Sequence, residues 1–157
     1  MALPPFQNLL DQHGREVHRF LVASVGPLDA DDCYQETWLS ALRAYPRLAD
    51  ARNLRSWIFT VAHRKVIDHV RAQRRRPVPS DALPDLTAPA ATDPASRTDE
   101  QLWHGVRELP PKQRTAVALR YVADAAYTEI ATAMGISEDA ARRNVHEGLK
   151  RLRQEYR

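Results

Sequence analysis

Apolar side chains recur every three or four positions at the start of the chain. Phe6, Leu9, Leu10, His13, Val17, Phe20, Leu21 and Ser24 mark one face of a helix that runs to about Val25. Gly26 and Pro27 are expected to stop it. A second helix is expected from near Asp29, whose carboxylate can cap free amides, with Asp31 and Asp32 favoured in the first turn by the helix dipole. Its predicted apolar stripe is Ala30, Tyr34, Trp38, Ala41, Leu42 and Tyr45, and Pro46 ends it. A polar loop over residues 47–53 leads to a third helix carrying Leu54, Trp57, Ile58, Val61, Ala62, Val66 and Val70. That helix runs into Arg71, Arg74, Arg75 and Arg76 before Pro77.

Periodicity then vanishes over residues 77–100, which hold five of the 11 prolines and read as a linker. It returns in a short helix over residues 102–109, broken by Pro110 and Pro111. Proline suits a helix's first turn, so a new helix is expected there, carrying Val117, Leu119, Tyr121 and Val122. In the remaining residues Thr128 is placed to cap a helix holding Ile130, Ala131 and Met134. Gly135 permits a positive φ, and Ser137 caps the last helix, with Ala141, Val145, Leu149 and Leu152 inward. Small Ala131, Gly135, corner Ile136 and the two caps make a helix-turn-helix. The expectation is an all-α chain of two small helical domains, three helices in 1–76 and four in 101–157, joined by a flexible linker.

Charge sharpens this division. The whole chain carries only +3, yet residues 1–76 carry +4, 77–100 carry −4 and 101–157 carry +3. Two basic units flank an acidic tether, a layout suited to a polyanionic partner. The longest apolar runs fall far short of the roughly 20 residues of a membrane-spanning helix, and the first residues lack a basic and apolar leader, so no membrane span is expected. The lone Cys33 excludes an internal disulfide and points to a reducing, cytoplasmic setting.

The chemistry follows the same geography. On the last helix Arg142, Arg143, Asn144 and His146 are expected to face outward near its start, where side chains of a recognition helix meet base edges. Lys150, Arg151 and Arg153 lie further along, where pairing with phosphates sets affinity without reading sequence. The third helix interleaves Trp57 and Phe59 with His63, Arg64, Lys65 and Arg71, a mixture suited to unstacked bases and a phosphate backbone. At helical spacing those rings serve equally well as core. His13 and His18, or His63 and His69, miss the spacing that puts two imidazoles on one helical face, and no nucleophile or phosphate-loop motif is present. No catalytic residue, metal or cofactor is expected, and the protein is read as not an enzyme.

Three stretches together resemble an extracytoplasmic-function sigma factor, a bacterial RNA polymerase specificity subunit made of sigma-70 regions 2 and 4. DADDCYQETWLSAL, residues 29–42, is similar to the helix by which that family docks on the clamp helices of the polymerase largest subunit. The resemblance implies core contacts by Asp31, Asp32, Gln35 and Glu36. LRSWIFTVAHRKVIDHVRAQRRR, residues 54–76, is similar to the part that captures the promoter's minus-ten element. It implies roles for Asn53, Trp57, Thr60, His63, Arg64, Asp68, Arg71, Arg74 and Arg75. The stretch from LPPKQR to KRLR, residues 109–153, is similar to region 4, which reads the minus-35 element. It implies roles for Thr128, Ser137, Arg142, Arg143, Asn144, His146 and Lys150. Where the family commonly has W-L-Y-R-I-A-R-N, this chain has Trp57-Ile58-Phe59-Thr60-Val61-Ala62-His63-Arg64, so no minus-ten sequence is carried over from the family.

The implied partners are core polymerase, through its clamp helices and flap, promoter DNA, and an anti-sigma factor. The acidic segment of 77–100 is implied to follow the polymerase's RNA path. Two other readings stay open on the residues alone: a free-standing helix-turn-helix regulator, and a polymerase-binding adaptor that does not read DNA.

Overall fold

The computed structural model describes residues 3–49, 51–75 and 94–155, with backbone only over 94–99. Helix α1 (Phe6–Val25) turns at Gly26 into α2 (Pro27–Ala44), which ends in a 3₁₀ turn (Tyr45–Arg47). Helix α3 (Leu54–Arg75) completes the first unit. The second contains α4 (Pro94–Glu108), α5 (Pro111–Tyr121), α6 (Tyr127–Met134) and α7 (Glu138–Glu155). No strand occurs among the described residues.

The first unit closes around aromatic edges. Phe20 meets Phe59 at 5.8 Å between ring centroids, and Phe6 meets both Trp38 and Tyr45 edge-on at 5.8 and 5.2 Å. Val17, Leu21, Ala30, Ala41, Ile58 and Ala62 fill the remaining space and are buried. The tight corner between α1 and α2 needs Gly26, whose φ of +87° is a region that a Cβ disfavours. Helix α2 therefore starts two residues before the expected Asp29. Gly26 takes the N-cap position, and Pro27 occupies the first turn, where its missing N–H costs nothing. Asp29 turns instead towards α3, with Oδ2 3.3 Å from His69 Nε2 and accepting from Gln73 at 3.4 Å.

In the second unit α4 begins at Pro94, so the end of the segment expected to be linker is helix. Residues 77–93 and Arg76 lie outside the described residues. Helix α5 is buried over five successive residues, Thr115 to Leu119, because α7 and α6 cover one side and α1 of the first unit covers another. Tyr121, expected among its apolar positions, is exposed. At the start of α6 the cap is not Thr128. Ala126 holds the N-cap position, and Glu129 reaches back to accept its N–H at 3.1 Å, half of a capping box. Gly135, at φ +66°, makes the turn, and Ser137 Oγ accepts from the Ala140 N–H at 3.0 Å as expected.

The two units pack together, with one apolar cluster running through both and a second, of Val106, Leu109, Val117 and Leu152, within the second unit. Helix α6 lies on α3, while α4 and α5 lie on α1. Arg55, in the first turn of α3, clasps the seam. Its Nη1 donates to Glu129 Oε2 at 2.7 Å and its Nε to Glu16 Oε2 at 3.3 Å. Nη2 donates to the Ala123 carbonyl. Arg114 of α5 donates to the Ser24 carbonyl at the end of α1 at 3.0 Å. The two helical units therefore meet along a common interior. Periodicity could not reveal this, because each unit's own stripe accounts for only part of what is buried.

Candidate nucleic-acid and polymerase interfaces

One candidate surface is built on α7. Ala141, Val145, Gly148 and Leu152 face the core, and the 3.6-residue period then points Asp139, Arg143, His146 and Lys150 away from it. All four are exposed. Arg143 makes no ion pair among the described residues. Arg142 lies on the flank of this face: its Nη2 donates to Glu138 Oε1 at 2.7 Å, and its guanidinium stacks 5.0 Å from the Tyr127 ring of α6. Asn144 is half-buried on the other flank, and its amide donates to the Ala140 carbonyl at 3.0 Å. The structure thus gathers Arg143, His146 and Lys150 on one face and sets Arg142 and Asn144 to its sides. Thr128 is exposed on α6 and Ser137 at the turn. Asp139 was missed in the sequence; it stands at the head of the face, where a carboxylate can accept from cytosine N4.

On α3 the residues assigned to the minus-ten element divide sharply. Arg64, Asp68, Arg71 and Arg75 follow one another at spacings of three and four, and all are exposed on one stripe with half-buried Trp57 and Thr60 at its start. Arg74 is exposed beside them. Exposed Asn53 precedes the helix, and its carbonyl accepts from the Trp57 N–H at 2.9 Å. Phe59 and His63, by contrast, face the core, with His63 8% exposed. Burial, reinforced by the neighbouring Arg64 cation, pulls the His63 imidazole down to about 4, so it is neutral at physiological pH.

Helix α2 carries a third surface. Asp31, Asp32, Gln35 and Glu36 are exposed as expected, and Asp31 Oδ1 sits 3.1 Å from His18 Nε2. Leu42, expected in the buried stripe, is exposed, as are Leu28 and Leu39. Leu28, Gln35, Leu39 and Leu42 are spaced by seven, four and three, one seam along the helix bordered by Asp32 and Glu36. The signal in the sequence was there. Two apolar stripes run along α2, and only packing decides which is inside.

Cys33 lies beneath this surface. Burial first, then the carboxylates of Glu36, Asp29 and Asp32, push its thiol up to about 11. At pH 8 the native thiol is expected to react with an aromatic disulfide reagent about 100-fold more slowly than in the urea-unfolded chain. Equal rates would show it to be accessible. Among the described residues no group of acidic, histidine or cysteine side chains could hold a metal, and no helix is long and apolar enough to cross a membrane.

One helical chain thus carries a helix-turn-helix, a second helix with a cationic stripe and an acidic helix with exposed leucines. Sigma-70 region 2 matches residues 9–76, and Sigma-70 region 4 matches residues 99–152. The RNA polymerase sigma factor CarQ of Myxococcus xanthus is 33% identical over 98% of this chain and 90% of its own length. The ECF RNA polymerase sigma factor SigD of Mycobacterium tuberculosis is 34% identical over 88% of this chain and 71% of its own. The chain belongs to the sigma-70 family of RNA polymerase sigma factors, in its extracytoplasmic-function group.

Solved structures share the fold. RpoE of Bartonella quintana, solved with the anti-sigma factor NepR, gives a TM-score of 0.77 at 21% identity, covering 95% of this chain and 94% of that one. CnrH, solved with the cytosolic domain of CnrY, gives 0.72 at 20% identity, covering 96% and 86%.

Proposed function

We propose that this sigma factor docks on core RNA polymerase through the α2 seam and lends it promoter recognition through α3 and α7. The observation that carries this reading is the coexistence on one chain of a helix-turn-helix and a separate leucine seam bordered by carboxylates. A free-standing regulator needs only the first, and an adaptor that does not read DNA needs only the second. A heptad-like row of exposed leucines fits a helical partner, which supports the polymerase clamp helices as the docking site, with Asp31, Asp32, Gln35 and Glu36 as its polar rim.

On α3, the Arg64, Asp68, Arg71 and Arg75 stripe follows the strand backbone near the minus-ten element. Trp57 and Thr60, with Asn53 before the helix and Arg74 beside it, meet the opened bases. Buried His63 positions the helix from behind. On α7, Arg143, His146 and Lys150 read the minus-35 duplex, Arg142 and Asn144 buttress them, and Thr128 and Ser137 meet the flanking backbone. The catalytic chemistry belongs to the polymerase. The solved neighbours' partners support an anti-sigma factor as the chain's regulator.

The test is Leu39→Asp. Because Leu39 is exposed, the variant is expected to fold with the wild-type circular dichroism spectrum. It should bind core polymerase at least tenfold more weakly and lose promoter-specific run-off transcription in proportion. Unchanged core binding would remove α2 from the interface. Tight specific binding to duplex DNA without polymerase would favour the free-standing regulator.

A further inference from the structure

The seam between the two units contains a cleft of about 470 Å³ that none of the assigned surfaces explains. Four arginines from four helices line it: Arg74 of α3, Arg107 of α4, Arg114 of α5 and Arg151 of α7. Among the described residues the one carboxylate in the lining is Glu108. Like charges have thus been brought together from segments far apart in the chain. Arg107 lies against the α1–α2 corner, its Cδ 3.5 Å from where a Cβ on Gly26 would sit. Arg114 spends one nitrogen on the Ser24 carbonyl, while its Nε is buried and makes no hydrogen bond among the described residues. Burial, with the Arg74 cation nearby, lowers the proton affinity of Arg114, although Glu108 partly offsets this. Among the described residues, closing the seam therefore concentrates positive charge, with one carboxylate against four guanidiniums.

We propose that the seam cleft binds a compact, multiply charged phosphate anion. Guanidinium forks pair with phosphate oxygens in two-point contacts, and the volume falls in the range of small-ligand sites. Because the guanidiniums come from both units, the anion binds their packed arrangement better than any separated one and shifts the population towards it. Arg74 also belongs to the cationic end of α3, so occupancy of the cleft competes with phosphate contacts there. The proposal makes the seam a site where a small anion opposes promoter engagement.

The probe is sodium tripolyphosphate, titrated calorimetrically into the full chain at constant ionic strength. Saturable one-to-one binding is expected, with a raised melting temperature. Arg107→Ala should weaken binding at least tenfold, as should Arg74→Ala at the exposed end of α3, which protects the test against a folding defect in the first variant. Sodium sulfate at matched ionic strength should not substitute. A promoterless duplex of 20 base pairs distinguishes the other source of phosphate and should bind the Arg107→Ala variant as it binds the wild-type chain. No saturable binding, a stoichiometry well above one, or unchanged affinity in both variants would overturn the proposal. Parallel loss of duplex and tripolyphosphate binding in Arg107→Ala would assign the cleft to the DNA backbone and overturn it equally. Core binding and transcription are not read, so failure of the sigma-factor reading and failure of this one are separable.

Discussion

Arg143→Ala is expected to lower transcription from a dependent promoter by about 5- to 150-fold, the loss of about 1–3 kcal/mol that accompanies removal of a good bidentate base contact. Arg142→Ala should cost less. Sequence alone ranks the two arginines equally, but their surroundings differ. Arg142 is committed to Glu138 at 2.7 Å and to the Tyr127 ring, so reaching a base means giving up a charged hydrogen bond and a stacking contact. Arg143 points straight out between Asp139 and His146 and has no such commitment among the described residues. Initiation with core polymerase on a set of single-base variants of the upstream element measures both effects. Arg143→Ala should flatten discrimination at one position, while a phosphate-contacting variant such as Lys150→Ala should weaken all sequences alike and reduce the salt dependence. A larger loss from Arg142→Ala than from Arg143→Ala would reverse the assignment.

Acid should destabilise the protein through His63. In the folded chain this imidazole titrates at about 4, against 6.5 for an unconstrained histidine, chiefly because it is buried and secondarily because of Arg64. Between those values the unfolded chain holds a proton that the folded chain does not, so stability falls as the pH falls from 6.5 towards 4 and is fully present above 6.5. From pH 7.5 to pH 5 the loss from this one residue is about 2 kcal/mol, a large share of the stability of a small protein. His63→Leu removes the titration. Since His63 Nδ1 makes no hydrogen bond among the described residues, the replacement leaves no partner of that atom stranded. Urea unfolding at the two pH values should show the wild-type midpoint dropping further than that of the variant. An equal drop in both would place the acid sensitivity in the carboxylates.

Much of the site was legible because helix-turn-helix signals are local. Gly135 and Ser137 do in the structure what their chemistry allows, and the outward position of Arg143, His146 and Lys150 follows from Ala141 and Val145 facing inward. Thr128 was misjudged as a cap because the chain offers a competing arrangement, with Glu129 reaching back to the Ala126 N–H. The leucine seam of α2 was hidden by a different ambiguity. Leu42 continues the stripe through Trp38 and Tyr45 on paper, yet it lies more than a quarter-turn from the inward direction set by Ala30, Cys33, Thr37 and Ala41.

The sequence by itself determined the seven helices in outline, the corner at Gly26, the helix-turn-helix and the separation of charge into basic units and an acidic tether. These depend on backbone freedom, caps and 3.6-residue periodicity, which act within a few residues. Only the tertiary structure decided which face of α2 is left exposed, why α5 is buried over five successive residues, and that His63 lies inside while Arg64 lies outside. It alone brought Arg55 to Glu129 and collected Arg74, Arg107, Arg114 and Arg151 around one cleft. A stripe tells a helix that it has an inside. How many neighbours cover that helix, and from which directions, is set by packing between residues up to 90 positions apart, which no local pattern encodes.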